Sequence, residues 1–415
     1  MTSRDGAVGG YDAVVVGASI AGCTTAIMFG RAGLRVALVE RSRHLEAYKA
    51  LCGHWILGGA KPTLERLGLW EEMLAHGAEA ALPDMWSAGG WLTLPPDADI
   101  PEAICLRRKT LDPMLRRIAG ATPGVDLLMG HRAVGLIEDG AGVVGVRVAT
   151  PDGDERELQG RLVVGADGHR SKVAELAGVE GDVAPNERFF VWVYYRGVRF
   201  PRPGRAFVWR LDPDVAVAVP AGDGLTLVGA FAAKSRLAEF AGDRVAALER
   251  FVADLPDAPD LSAAERVSPA IGTSDYPFVR RHPAPRPGLA LVGDAAMASD
   301  PTPAVGCGWA FRSAEWLADA VIPVLAGGAG DADLAAALAH YCDAHRFAEE
   351  HDDVGRIDAL ARPATRGQQA MMALARHDPA AARLLGLVAM RVVSPSVLRD
   401  PEVAARAAQF VASGV

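Results

Sequence analysis

The chain opens with two short apolar runs that flank a segment of helical character. Residues 12–16 and 35–40 are rich in β-branched side chains, whereas residues 23–31 have a helical composition and stop before Gly33. Short β-rich runs predict strands, and the segment between them predicts a helix that a glycine ends. This pattern indicates a strand, helix and strand unit of the α/β class.

A different pattern occupies the middle of the chain, where apolar runs are separated by clusters rich in Gly, Pro and Asp. Such spacing predicts an antiparallel sheet. The predicted strands are residues 188–200, 206–211, 215–220 and 225–231. Along the first of these, Phe190, Trp192 and Tyr194 share one face because side chains alternate along a strand.

The remaining segments predict helices. Residues 235–255 have a helical period, and the tail from residue 332 is alanine-rich, with predicted breaks at Gly367 and near Pro379 and Pro395. No internal repeat interrupts this order. We therefore expect an α/β domain, an inserted sheet and a helical C-terminal region.

The turn after the first predicted strand almost reproduces the glycine fingerprint of dinucleotide-binding loops. Gly17 and Gly22 occupy its first and third glycine positions, and Ser19 stands at the second. The first glycine permits the tight turn and the third permits close helix packing, while the second allows backbone to approach a pyrophosphate. Glu40 ends the second strand, where an acid accepts hydrogen bonds from a ribose. Strand, loop, helix, strand and terminal acid together predict a dinucleotide site rather than an ordinary turn.

Composition narrows the class of protein. A length of 415 residues suggests two joined domains, and a formal charge of −8 gives no basic surface for nucleic acid. No apolar run reaches the ~18 residues of a membrane span, and the N terminus lacks a signal-peptide pattern, so we expect a cytoplasmic protein. The five cysteines show no paired spacing, which argues against a disulfide framework and against a metal site. Small molecules are the expected partners, and the oligomeric state is open.

Three later segments resemble motifs of FAD-dependent aromatic hydroxylases and their relatives. LRRKTLDPMLRR at residues 106–117 is similar to their Arg-x-x-Leu-Asp-x-x-Leu segment, with Arg108 at the arginine position and Arg107 as a rival. RLVVGADGHRSKVAELAG at residues 161–178 resembles their Asp-Gly motif, although a plain turn is the alternative for Asp167. GLALVGDAAMASDPTPAVGCGWAFRSAEWLADAV at residues 288–321 resembles their Gly-Asp motif. The resemblance covers almost the whole chain in family order.

The resemblance implies a Rossmann-like FAD-binding domain with an inserted antiparallel-sheet substrate domain and a helical C-terminal region. It implies FAD-binding segments at residues 1–85, 106–180 and 283–330, substrate-domain segments at 86–105 and 181–282, and C-terminal helices at 331–415. We expect the helix after the Gly-Asp motif to begin at about Trp309, with its positive end directed at the flavin. The implied cofactor-binding residues are Gly17, Ala18, Ser19, Ile20, Ala21, Gly22, Glu40, Arg41, Arg108, Val134, Asp167, Gly293, Asp294, Pro301, Gly306, Cys307 and Gly308.

Substrate and catalytic residues are less constrained. Phe190, Trp192, Tyr194 and Trp209 are candidates for a substrate pocket, although any of them could equally fill a core. His54 lies in a segment that family members place beside the flavin, and a purely structural histidine is the alternative. No general base is assigned.

By the same resemblance, the protein is a monooxygenase related to polyketide epoxidases. NADPH or NADH, docking transiently, would reduce the flavin, and dioxygen would form a C4a-hydroperoxide that passes one oxygen atom to an aromatic or polyketide substrate, in secondary metabolism. KALCG at residues 49–53 also resembles flavoprotein reductases of the geranylgeranyl reductase type. Halogenases are related as well, but their Trp-x-Trp-x-Ile-Pro signature is absent. A non-catalytic flavin-binding module is the remaining alternative.

Overall fold

The computed structural model describes residues 10–94, 99–200, 202 and 204–412, without the side chain of residue 411. The N-terminal residues 1–9, on which the signal-peptide expectation rests, lie outside the described part, as do residues 95–98 of the predicted substrate-domain segment. The described strands are β1 Tyr11–Val16, β2 Val36–Glu40, β3 Trp55–Ile56, β4 Glu79–Ser87, β5 Gly90–Thr93, β6 Ala103–Cys105, β7 Val125–Met129, β8 Arg132–Asp139, β9 Gly142–Ala149, β10 Glu155–Gly165, β11 Asp182–Ala184, β12 Arg188–Arg196, β13 Arg205–Arg210, β14 Val215–Pro220, β15 Leu225–Ala233, β16 Glu265–Arg266, β17 Ile271–Thr273, β18 Phe278–Arg280, β19 Leu289–Leu291 and β20 Met297–Ala298.

Helices flank these strands and fill the C-terminal part of the chain. In the described residues, none of them is both long enough and apolar enough to cross a membrane. The α-helices are α1 Ile20–Arg31, α2 Lys61–Leu67, α3 Leu69–Ala75, α4 Arg108–Ala121, α5 Lys172–Leu176, α6 Arg244–Ala253, α7 Gly306–Ala326, α8 Asp331–Asp358, α9 Arg366–His377, α10 Pro379–Ala389 and α11 Pro401–Ala412.

The first sheet carries the predicted α/β unit. Its parallel strands lie in the order β7, β2, β1, β10 and β19. All five residues of β2 are buried, and so are the last four of β1, which explains why both read as continuous apolar runs rather than as alternating ones. Helix α1 is buried along almost its whole length and packs against α4 and α7. The expected Rossmann-like unit is confirmed.

Strand β10 takes part in two kinds of pairing. Its first half, residues 155–159, pairs antiparallel with β9, and its second half runs parallel to β1 and β19. The polar first half is exposed except at Leu158, whereas residues 162–165 are buried. A single strand therefore connects the surface ribbon of β8 and β9 to the centre of the parallel sheet.

The second sheet is the predicted insert, and it recruits strands from the first part of the chain. β12, β15, β14 and β13 pair antiparallel in that spatial order, and β4 joins β13 in parallel. Two separate apolar clusters cover the opposite faces of this sheet. The α/β class with an antiparallel insert is thus confirmed, and the four central strands match their predicted positions to within a few residues.

Three predicted boundaries need correction. Helix α7 begins at Gly306 and not at about Trp309. The N–H groups in the first turn of a helix have no partner within the helix, so the two glycines there do not prevent the helix from starting. Gly367 does not break a helix, since it lies in the first turn of α9, which the Thr365 side chain caps. Residues 234–240 form a separate 3-10 turn ahead of α6, and Asp243 caps that helix.

Candidate cofactor site

Four segments identified from the sequence meet at one edge of the parallel sheet. Strands β1, β2, β10 and β19 run in the same direction, so their carboxyl ends lie side by side. Gly17 follows β1, Glu40 ends β2, Asp167 follows β10 and Asp294 follows β19. This edge is where open α/β sheets bind their ligands.

The glycine loop is built so that only glycine fits at its two ends. Gly17 has φ of +106°, a conformation that side chains disfavour, and a Cβ on Gly22 would lie 1.7 Å from the Gly17 carbonyl oxygen. Ser19 is the N-cap residue of α1, yet no side chain of the described residues caps that helix. Its first N–H groups are therefore available to an anion, as a phosphate site requires.

Glu40 is held in place by backbone N–H groups. Its two carboxylate oxygens accept hydrogen bonds from Ala18 N at 2.9 Å and from Ser42 N at 2.8 Å. Glu40 as a whole is 9% exposed. The acid therefore fixes the glycine loop while it faces the sheet edge. Arg41 beside it is exposed, and Val134 lies at a β-bulge in β8. The adenosine-binding roles of these residues stay predictions.

Arg108 is the centre of a buried polar cluster. Its guanidinium donates to Asp112 at 2.7 Å, and to the hydroxyl of Ser19 in the glycine loop. The side chains of Arg108 and Asp112 are 5% and 1% exposed. Burial opposes the charge of Arg108, but Asp112, together with the neighbouring Cys52 and Cys307, outweighs that effect and holds the pKa of Arg108 well above the ordinary value. Arg107, the rival, pairs instead with Asp223 at the surface.

Asp112 is the aspartate of the Arg-x-x-Leu-Asp-x-x-Leu segment, but no role was predicted for it, although its spacing gave a signal. It lies one helical turn after Arg108 on α4, and an i, i+4 pair of opposite charge is expected to interact. Asp112 also accepts a hydrogen bond from Lys49 N at 3.0 Å. Arg116, another turn along, donates to the carbonyl of Ala18 at 2.8 Å. Helix α4 therefore ties the glycine loop to the loop that follows β2.

Asp167 has its carboxylate engaged within its own turn. One oxygen accepts from the Ser171 hydroxyl, and the other accepts from Lys172 N and from Val173 N at 3.0 Å. These contacts organise the start of α5. The backbone of Asp167 abuts Gly17, since a Cβ there would approach its Cα to 3.0 Å. A cofactor role for Asp167 stays a prediction beside this structural one.

Asp294 has a partner that the sequence did not suggest. Lys49 Nζ lies 2.7 Å from its carboxylate, and the Asp294 side chain is 14% exposed. The proximity of Asp294 holds the pKa of Lys49 above its ordinary value. Gly293 donates its N–H to the Ser313 hydroxyl at 2.9 Å, and a Cβ there would lie 2.9 Å from the Cβ of Ala21. The Gly-Asp turn thus packs directly on α1.

The segment after Asp294 combines a fixed loop with an uncapped helix. The Pro301 carbonyl accepts from Ala304 N at 2.9 Å, while buried Asp300 accepts from Thr302 N at 2.6 Å and from the amide of Asn186. Burial raises the pKa of Asp300. No side chain caps α7, whose first turn contains the predicted residues Gly306, Cys307 and Gly308.

The loop before β3 brings His54 and Cys52 to the same place. His54 is 6% exposed, has φ of +63°, accepts a hydrogen bond from Arg108 N through Nδ1 at 3.3 Å, and stacks on Tyr194 with a centroid distance of 5.8 Å. Cys52 lies with its Sγ 3.5 Å from that of Cys307. His54 thus makes a hydrogen bond through Nδ1 and a stacking contact with Tyr194, which are contacts of a structural histidine. Its catalytic role stays a prediction.

The aromatic face of β12 turns toward this loop. Phe190, Trp192 and Tyr194 lie in one cluster, against which Trp55 also packs. Three buried polar atoms there make no hydrogen bond of standard geometry within the described part of the chain: the indole nitrogens of Trp55 and Trp192 and the hydroxyl of Tyr194. Trp209 does not lie with them. It belongs to the cluster on the other face of the sheet, where its indole N–H donates to the Pro256 carbonyl at 2.8 Å.

The arrangement fits a dinucleotide. The uncapped start of α1 offers N–H groups for phosphate, and Glu40 lies at the end of the adjacent strand β2. The uncapped start of α7 follows the Gly-Asp turn. Buried Arg108 places a cation against Ser19 of the phosphate loop. None of these features alone requires a cofactor, but their meeting at one sheet edge is what dinucleotide recognition needs.

Comparisons with known proteins agree with this geometry. Residues 10–206 match the family model described as an FAD binding domain. Digeranylgeranylglycerophospholipid reductase 1 of Methanococcoides burtonii is 28% identical over 70% of this chain and 69% of its own length. Para-nitrophenol 4-monooxygenase of a Pseudomonas species is 26% identical over 76% of this chain and 79% of its own. The structure of a myxobacterial chondrochloren halogenase superposes with a TM-score of 0.72 at 22% identity, covering 95% of this chain and 92% of that one.

Proposed function

We propose that this chain, whose residues 10–206 match the model of an FAD binding domain, is a monooxygenase that hydroxylates or epoxidises a hydrophobic aromatic or polyketide molecule. NADPH or NADH would be the transient reductant and dioxygen the oxygen source. Secondary metabolism is the setting we propose. The observation that supports this proposal best is the aromatic face of β12 in the second sheet, which carries Phe190, Trp192 and Tyr194.

FAD is the cofactor, and the residues at the sheet edge are those we propose to hold it. The N–H groups at the start of α1 would bind the pyrophosphate, Glu40 the ribose and Asp294 the sugar-like chain next to the ring. FAD supplies the electron transfer and the oxygen chemistry. The first turn of α7 would present N–H groups and a positive dipole end to the ring edge where negative charge develops.

The aromatic face of β12 supports an apolar substrate with a polar group. Phe190 and Trp192 stack with a centroid distance of 5.1 Å and are 2% and 1% exposed, so this surface excludes water. Among the described residues, the hydroxyl of Tyr194 and the indole nitrogen of Trp192 make no hydrogen bond of standard geometry, and buried polar groups are normally hydrogen-bonded. An oxygen atom on the substrate would satisfy them. A phenol or a ketone has this combination of ring and acceptor.

Oxygen isotope labelling tests the proposal. Purified holoenzyme, NADPH or NADH, and a panel of phenols and polyketide-type ketones are incubated under labelled dioxygen, and products are analysed by mass spectrometry. We expect a product that gains one labelled oxygen atom. Nucleotide oxidation that yields only hydrogen peroxide across the panel, or a product that carries oxygen from water, would contradict it.

A double-bond reductase is the second candidate. The Methanococcoides relative covers 70% of this chain, and Cys52 of the KALCG segment lies in the cofactor site. Such an enzyme would add two hydrogen atoms to an alkene without using dioxygen. The same assay under nitrogen, with an isoprenoid alkene, distinguishes the two. A product two mass units heavier that forms in the absence of dioxygen supports the reductase.

A further inference from the structure

Two cysteines from distant parts of the chain face each other in the cofactor site. Cys52 belongs to the loop before β3 and Cys307 to the first turn of α7, and their Sγ atoms lie 3.5 Å apart. We propose that Cys52 and Cys307 form a dithiol/disulfide redox pair, in which Cys52 is attacked first by hydrogen peroxide and Cys307 resolves the product. The proposal does not depend on which reaction the flavin performs.

The surroundings of Cys52 favour a thiolate. The sulfur accepts a hydrogen bond from His54 N at 3.3 Å and lies 3.8 Å from a guanidinium nitrogen of Arg108. Donors and a cation next to a sulfur stabilise its anionic form, which is the nucleophile in thiol chemistry. The hydrogen bond with Cys307 also lowers the pKa of Cys52, against the effect of burial. Lys49 and Asp112 are the other charged groups of this cluster, and they pair with Asp294 and Arg108.

Cys307 has the complementary properties of a resolving thiol. Cys307 is 8% exposed, whereas Cys52 is half-buried, so Cys52 is the sulfur of the two that a small oxidant meets first. The hydrogen bond to Cys52 and burial raise the pKa of Cys307 well above the ordinary value, whereas the pKa of Cys52 is lowered, so Cys52 is the more acidic thiol of the pair. The two sulfurs therefore differ in acidity and in access, as an attacking and a resolving thiol do.

The reaction balances without any further reagent. The Cys52 thiolate attacks hydrogen peroxide, an S–O bond forms, the O–O bond breaks, and hydroxide leaves and takes up a proton to become water. The Cys307 thiol then attacks the Cys52 sulfur, an S–S bond forms, and the S–O bond breaks with loss of a second water. Two thiols are oxidised by two electrons and one peroxide is reduced. An added dithiol such as dithiothreitol reverses the oxidation by thiol–disulfide exchange.

Other cysteines of the chain provide internal controls. Cys23 and Cys105 are buried, and burial raises the pKa of each thiol. Cys342 lies half-buried on α8, and burial raises its pKa as well. We therefore expect these three thiols to react far more slowly with peroxide than Cys52.

Peroxide titration of the FAD-loaded protein tests the pair. After each addition, free thiols are alkylated and unreduced tryptic peptides are analysed by mass spectrometry. We expect a cross-linked peptide that contains Cys52 and Cys307, formed at least tenfold faster than any oxidation of Cys342 and lost after dithiothreitol. Oxidation of Cys342 before any Cys52–Cys307 cross-link appears would overturn the proposal.

Three variants separate the roles of the two sulfurs. Cys307→Ser should leave Cys52 as a sulfenic acid that dimedone traps, and Cys52→Ser should abolish both the cross-link and the trapped adduct. Cys342→Ser should behave as the parent does. Equal dimedone labelling of Cys307 in the Cys52→Ser variant would reverse the assignment and so overturn it. No substrate or nicotinamide is present, so a failure here is distinguishable from a failure of the proposed oxygenase reaction.

Discussion

The two halves of the site differ in how their buried polar groups are satisfied. On the cofactor side, Arg108 has Asp112 and Ser19 as partners, and Glu40 uses both carboxylate oxygens. On the proposed substrate side, the buried hydroxyl of Tyr194 and indole nitrogen of Trp192 have no hydrogen-bond partner of standard geometry among the described residues. The cofactor half is thus organised by the protein's own contacts. The proposed substrate half leaves hydrogen-bonding capacity that a bound substrate would complete.

The largest effect is expected from breaking the buried pair on the cofactor side. Arg108→Ala leaves the Asp112 carboxylate, 1% exposed, without its counter-charge. Removing one partner of a buried ion pair costs about 3–5 kcal/mol, and we expect a loss of unfolding free energy of that size in urea titrations. The exposed pair of Arg117 and Glu46 is the matched control, for which Arg117→Ala should cost no more than ~1 kcal/mol. Equal effects of the two substitutions would contradict the comparison.

A smaller effect is expected at Glu40. Glu40→Gln keeps the shape of the side chain but turns one acceptor into a donor that faces a backbone N–H, of Ala18 or of Ser42. Losing a hydrogen bond to a charged group costs about 1.5–3 kcal/mol. We expect weaker FAD binding, by about tenfold or more, in fluorescence titrations. The exposed residue Glu157, far along β10 from the sheet edge, supplies the control, and Glu157→Gln should bind FAD as the parent does.

The smallest and most discriminating effect concerns two neighbouring tyrosines on opposite faces of β12. Tyr195 donates its hydroxyl to Glu249 at 2.9 Å, whereas the Tyr194 hydroxyl has no partner. Tyr195→Phe should therefore lower the unfolding free energy by about 1 kcal/mol, and Tyr194→Phe should leave it unchanged or raise it slightly. Tyr194→Phe should instead raise the substrate KM. A stability loss at Tyr194 as large as at Tyr195 would refute the difference between the faces.

Local patterns predicted the parts of the fold that depend on neighbours in sequence. Gly17 and Gly22 were predictable because a side chain at either position would clash with neighbouring backbone. Glu40 was predictable because the same strand, helix and strand unit places an acid at the end of β2. The four strands of the insert were predicted because apolar runs and turn residues alternate there. Helix starts were less predictable, as the first turn of α7 shows, since an uncapped N terminus leaves no capping residue to mark it.

The contacts that tertiary structure creates could not be predicted in the same way. Lys49 and Asp294 are 245 residues apart, and Cys52 and Cys307 are 255 apart, so no spacing rule joins them. Trp209 and Phe190 lie on different strands. The alternation of side chains assigns the residues of one strand to its two faces, but it does not show which face of the next strand lies on the same side of the sheet. The pairing register of β13 places Trp209 on the opposite face.

The order of the strands has a consequence for how the chain is made. β1 is synthesised before the other strands of its sheet: its neighbour β10 ends at Gly165, and β19, which pairs with β10, begins only at Leu289. At roughly 5–20 residues per second, the interval between β1 and β19 lasts on the order of 15 s to a minute. During that time β1 can pair with β2 and then with β10, but β10 lacks its neighbour β19 and the glycine loop lacks Asp294. The complete sheet edge, and with it the proposed cofactor site, can therefore form only after Asp294 and the first turn of α7 have been synthesised.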